Sequence, residues 1–131
     1  MLRIGLDLIS IERIQRTRDR HGKRFYARFF TPEEVAICEG DPLRLAARIA
    51  AKEAAAKALG CGIGDVRWVD IEIGRDALQR PVLHLHGAAL ARAHALGLTE
   101  WEVSLTHEGD KAAAVVVMIG PGVEANDRTE A

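Results

Sequence analysis

Residues 45–60 read LAARIAAKEAAAKALG, and no other stretch of the chain constrains its architecture as tightly. An alanine-rich run of this kind is a helix, and at about 100° per residue its faces can be laid out directly. Ala46, Ala50, Glu53 and Lys57 form one stripe flanked by Ala47 and Ala54, while Arg44, Arg48 and Lys52 form a cationic stripe nearly opposite. A salt bridge belongs on the charged face. Glu53 and its i+4 partner Lys57 instead interrupt a small-residue face suited to packing. Taken alone, the pair is either an ordinary surface contact or part of a site.

Upstream of the helix, Leu2, Ile4, Leu6 and Leu8 alternate with Arg3, Gly5 and Asp7, which predicts a strand at the N-terminus. Ser10 caps a helix running toward His21, Gly22 breaks it, and a short helix follows with Phe25, Phe29 and Phe30. Thr31-Pro32-Glu33-Glu34 opens a further helix, and Asp41-Pro42 opens the alanine-rich one, which Gly60 stops. Downstream, Val66–Ile73 and Val82–His86 read as extended around a loop at Arg75–Arg80, and Gly87–Leu96 reads as a helix. Trp101–His107 and Ala112–Ile119 read as strands joined by the hairpin signal Glu108-Gly109-Asp110. Strand, helices, strands, helix, strands is an α+β order with a mostly antiparallel sheet against a long central helix.

A chain of 131 residues predicts one domain, here 1–119, with 120–131 expected as a disordered tail because GPGVEANDRTEA has no apolar periodicity. A net charge of −1 argues against a general nucleic-acid or membrane binder, and there is no leader or membrane-length apolar run. Cys38 and Cys61 lack metal-ligand spacing and fit reduced thiols of a cytoplasmic protein. The five histidines form no cluster with the spacing of a closed zinc site, and Gly60-Cys61-Gly62-Ile63-Gly64 trails a helix where a phosphate loop would open one. One segment is far from neutral: Arg13, Arg16, Arg18, Arg20, Lys23, Arg24 and Arg28 face Asp19 alone, making either a solvated helical face or a dock for an acidic partner.

Three acids or bases resist explanation by composition: Asp7 inside an apolar strand after Gly5-Leu6, Glu53 on the alanine stripe, and His107 closing a strand at a hairpin. Two carboxylates suit Mg²⁺, which takes few protein ligands and completes its octahedron with water and phosphate oxygens. Lys57, Arg48, Ser104 and Thr106 supply donors for such phosphates. Each has an ordinary alternative, Asp7 as a cap or an arginine's partner, His107 as a hairpin-end histidine, and Ser104 and Thr106 as plain strand residues.

The same residues resemble a known family, the holo-acyl-carrier-protein synthases, the small bacterial branch of the phosphopantetheinyl transferases. Gly5-Leu6-Asp7 with Arg13-Ile14 is similar to its N-terminal GxD…RI element, and Phe30-Thr31-Pro32-Glu33-Glu34 to its F-T-x-x-E segment. Arg48 to Gly60 matches the R-x-A-x-K-E-A-x-x-K-A-x-G helix at every signature position, and Ser104-Leu105-Thr106-His107 resembles the S-x-[ST]-H strand. The likeness spans about residues 2–119 and departs at Gln79-Arg80-Pro81, where the family usually has Gly-[Lys/Arg]-Pro.

The resemblance implies a phosphopantetheinyl transferase-like fold and Mg²⁺-dependent transfer of the phosphopantetheine arm of coenzyme A to a serine of apo acyl carrier protein, releasing adenosine bisphosphate. It implies Asp7 and Glu53 as metal ligands, and Arg48, Lys57, Ser104, Thr106 and His107 around the coenzyme A phosphates. Glu53, directly or through a metal-held water, is the candidate base for the serine, with Asp7 behind it; Lys57 and His107 complete the catalytic set. Carrier docking falls to Arg13, Arg24 and Arg28, and the assembly to a cytoplasmic homotrimer with sites at subunit boundaries. Two rivals belong to other classes: a non-catalytic module docking an acidic protein or nucleic acid through Arg13–Arg28, where aromatic interleaving is thin, and a small nucleotidase.

Overall fold

The computed structural model describes residues 1–123, and the last eight residues of the expected tail lie outside the described residues. The elements in chain order are β1 (Leu2–Ser10), α1 (Ile11–His21), α2 (Lys23–Phe29), α3 (Pro32–Cys38), α4 (Pro42–Ala58), β2 (Ile71–Arg75), β3 (Pro81–Leu85), α5 (Gly87–Ala95), β4 (Glu100–Glu108) and β5 (Lys111–Ile119). The α+β expectation holds, with the antiparallel strands divided between two sheets, β1-β5-β4 and β2-β3.

Helix α4 is the axis of the molecule. Asp41 caps it by accepting from the Leu43 amide, Pro42 fills the first turn, and residues on every side of it are buried. A helix enclosed all round must be narrow where it meets sheets, and its eight alanines keep it so. Of the cationic stripe that the sequence presents, Arg44 stays exposed while Arg48 and Lys52 are buried. Lys52 donates to Glu34 (Nζ to Oε1 2.8 Å) and to the carbonyls of Trp68 and Ile71, and both side chains of the ion pair are fully buried. Glu34 also closes the capping box with Thr31 and accepts from the Ile73 amide at 2.9 Å. One carboxylate therefore ties α3, α4 and β2 together.

The β1 alternation runs opposite to what its leucines suggest. Arg3, Gly5, Asp7 and Ile9 share a sheet face with Ala112, Ala114, Val116 and Met118 of β5, and this face packs on α4. Leu2, Ile4, Leu6 and Leu8 point the other way and remain 64–69 % exposed.

Two expected boundaries move. Val66 makes an isolated bridge with Ile63, Trp68–Asp70 forms a 3₁₀ turn, and β2 begins only at Ile71. Asp70 is the cause: its carboxylate accepts from the Arg67 amide and side chain, and its carbonyl from the His86 amide. At the other end, the first residues of the expected tail are tied down. The Gly120 amide donates to Met1 and the Gly122 amide to Gly97, each at 3.1 Å.

Candidate active site

Strand β1 meets α4 without a layer of side chains between them. A Cβ at Gly5 would stand 1.8 Å from the Ala54 carbonyl oxygen, so only glycine lets the backbones approach this closely. Asp7, two residues on and on the same face, is brought against the turn of α4 that carries Glu53 and Lys57. Lys57 Nζ donates to the Leu6 carbonyl at 2.9 Å and to Asp7 Oδ1 at 3.2 Å. The Asp7 side chain is 12 % exposed and that of Lys57 57 %, so the carboxylate sits at the floor of the site and the ammonium at its rim.

The other Asp7 oxygen, Oδ2, is buried with no hydrogen-bond partner. Burial pushes the Glu53 carboxyl up to about 7, helped by the neighbouring Asp7 carboxyl as hydrogen-bonding partner and negative charge, against the pull of Arg13 and Lys57. Two crowded carboxyls, one with an orphaned buried oxygen and the other holding its proton near neutrality, form a place a cation would relieve. The hard-oxygen donor set fits Mg²⁺. Among the described residues no group of three or more His, Cys, Asp and Glu side chains could hold a metal, so an all-protein cage is not available.

The remaining sequence-predicted residues divide by face. His107 registers with Ala112, which registers with Ile9, so it lies on the same face as Asp7 at the far strand, exposed. Ser104 and Thr106 are exposed on the opposite face of the sheet. Arg48 departs from expectation. It stands nine residues before Lys57, roughly half a turn round the helix, is 6 % exposed, and donates through Nε to the Ile73 carbonyl. It belongs to the β2 side of α4 and does not join Asp7 and Glu53. Arg13, Arg24 and Arg28 are exposed on α1 and α2, and Arg13 lies close enough to pull on Glu53. What the sequence reading missed is Arg3, which the register places on the Asp7 face. The alternation itself was the available signal, had the polar set been taken as the inward one.

The family model for the 4'-phosphopantetheinyl transferase superfamily matches residues 3–116. The chain belongs to that superfamily. A holo-[acyl-carrier-protein] synthase of Herpetosiphon aurantiacus is 48 % identical over 92 % of this chain and 100 % of its own length. One from Solidesulfovibrio magneticus is 52 % identical over 89 % of this chain and 97 % of its own. The crystal structure of the Helicobacter pylori holo-[acyl-carrier-protein] synthase in complex with coenzyme A superposes with a TM-score of 0.81 at 31 % identity, covering 88 % of this chain and 99 % of that one. In this superfamily member the F-T-x-x-E segment acquires a structural reading. Phe30 is buried, Thr31 caps α3, and Glu34 receives the buried Lys52. The two charges of Lys52-Glu53 thus divide their work, the first holding the helix and the second facing the site.

Proposed function

We propose that this chain transfers the phosphopantetheine arm of coenzyme A to a serine of apo acyl carrier protein. The observation that carries the reading is the Asp7–Glu53 pair with its unpartnered oxygen and Lys57 beside it, within a chain of this superfamily. The serine oxygen forms the new bond to phosphorus, the pyrophosphate bond breaks, and adenosine bisphosphate leaves with the electron pair. Asp7 and Glu53 would hold Mg²⁺, which when bound neutralises charge on the pyrophosphate. Lys57 swings from Asp7 to a phosphate oxygen, and His107 offers a ring nitrogen from the same face. Glu53, directly or through a metal-held water, is the group placed to take the serine proton, with Asp7 as the alternative base.

The chain is read as a homotrimer. The open β1–β5 face, with Leu2, Ile4, Leu6 and Leu8 exposed, supports an obligate partner copy. Ser104 and Thr106 lie on this outward face, so they are read as phosphate donors at a subunit boundary rather than in their own chain's site. Arg13, Arg24 and Arg28 are read as the carrier dock, with Arg13 nearest the reacting groups. No helix among the described residues is long and apolar enough to cross a membrane, and the two cysteines are free, in keeping with a reducing cytoplasm.

The test is mass spectrometry of apo carrier protein incubated with this chain, coenzyme A and Mg²⁺. A gain of one phosphopantetheine supports the proposal. An unchanged carrier overturns it, in favour of a nucleotidase if coenzyme A is hydrolysed and of a docking module if it is not.

A further inference from the structure

Three consecutive carbonyls at the end of α4 are held by two arginines from elements far apart in the chain. Arg3 Nε donates to the Ala58 carbonyl at 2.9 Å, while Arg92 of α5 donates through Nε to Leu59 at 2.6 Å and through Nη2 to Gly60 at 3.0 Å. Gly60 makes room for both: its φ is +69°, and a Cβ there would lie 2.4 Å from Nη2 of Arg3. Cations at a helix C-terminus answer its dipole, but a pair gripping successive carbonyls also fixes where the last turn lies.

That turn carries Lys57. Arg3 sits on the same face of β1 as Gly5 and Asp7, and each of the three meets α4 in order. Arg3 takes the Ala58 carbonyl, Gly5 abuts Ala54, and Asp7 meets the turn of Glu53 and Lys57. Gly5 sets the distance between strand and helix, but a glycine contact leaves the helix free to slide along the strand or turn about its axis. Directional hydrogen bonds to the terminal carbonyls remove both freedoms.

We propose that Arg3 and Arg92 are positioning residues that lock the C-terminal turn of α4 and so hold Glu53 and Lys57 in register with Asp7. This rests on the function proposed above, since it concerns the same carboxyl pair. The test uses the full chain carrying Arg3→Met, Arg3→Lys or Arg92→Met, with Mn²⁺ as a spectroscopic stand-in for Mg²⁺. Metal affinity is read by electron paramagnetic resonance, independently of transfer, alongside kcat and the KM values for coenzyme A and carrier.

Small misplacements of reacting groups are costly, so Arg3→Met is expected to weaken Mn²⁺ binding and lower kcat by about tenfold or more. The KM for carrier stays as it was, and Arg3→Lys recovers most of the loss. Folded Arg3→Met with wild-type Mn²⁺ affinity and kcat overturns the proposal and leaves the arginines a stabilising role alone. Should Arg3→Met not fold, Arg92→Met decides by the same readouts. If the wild type binds Mn²⁺ but transfers nothing, the functional reading fails, while the affinities still judge the positioning role.

Discussion

Glu53 carries a pH dependence whose sign is fixed by its surroundings. Its carboxyl titrates at about 7 in the folded, metal-free chain, above the usual 4.5. The folded state therefore holds this proton more tightly than the unfolded one. The stability due to Glu53 is fully present below the unfolded value and is lost as pH rises through the window from 4.5 to about 7. Thermal melts of metal-free protein should fall across that window, and Glu53→Gln should flatten the fall. Mg²⁺ affinity should rise over the same window and then level. Asp7→Asn and Glu53→Gln should each remove nearly all transfer while preserving the fold, because losing a metal ligand removes several kcal/mol of transition-state stabilisation. Near wild-type turnover in both at limiting Mg²⁺ would show that the pair holds no catalytic metal. Asp7, Glu53 and Lys57 were legible in the sequence because each breaks a packing pattern. Arg48 was not, because a helical wheel gives angles between residues but not which face the rest of the chain will cover.

The Lys52–Glu34 bridge shows how an element is held. With both groups enclosed, neither can return to water if its partner is removed. Lys52→Met should destabilise the chain by about 3–5 kcal/mol in denaturant melts, the range for breaking a buried pair from one side. The double variant Lys52→Met with Glu34→Gln should recover part of that loss. The β2–β3 turn makes a converse prediction. Gln79 has φ +67°, and Asp76 holds the turn by accepting from the Leu78 and Arg80 amides and from Arg80 Nε. A left-handed residue with a side chain is strained, so Gln79→Gly should stabilise by about 0.5–1 kcal/mol without changing kcat. A positive φ here gives a physical reason for glycine at the place where the sequence analysis noted Gln79 as a departure. Long elements with caps were readable: Ser10, Thr31 and Asp41 mark helix starts that the structure keeps. The segment Val66–Asp70 was not, because its conformation follows from one aspartate whose carboxylate folds back on the Arg67 amide and whose carbonyl meets the distant His86 amide, which local periodicity does not encode.

For the whole molecule, the open sheet face and the basic helices make separate predictions. If partner copies cover this face as proposed, Ile4→Lys with Leu6→Glu should leave a monomer by analytical ultracentrifugation and abolish transfer, since the new charges would be buried unpaired. A fully active monomer would refute sites built at subunit boundaries. Arg13→Glu should raise the KM for carrier and flatten its salt dependence, leaving the KM for coenzyme A nearly unchanged, because exposed charges steer encounter and are screened over about 10 Å at 0.1 M salt. The proposed oligomer and dock rest on resemblance rather than on pattern. The leucine alternation predicted a strand, and alternation alone does not say which of a strand's two faces its own chain will cover.

Pairing of the first strand with the last has a consequence for synthesis. Leu2 meets Ile119 and Ser10 meets Lys111, while Asp110 receives Ser10 Oγ and the Ile11 and Glu12 amides. On the ribosome, β1 emerges well before β5, and the stretch between them takes roughly 5–20 s at 5–20 residues per second. Through that interval the strand lacks its partner strand, and until α4 is made it lacks its covering helix as well. The nascent chain thus carries an open edge through that interval, and its yield in a crowded cell should depend on elongation speed and chaperone capture more than its native stability suggests.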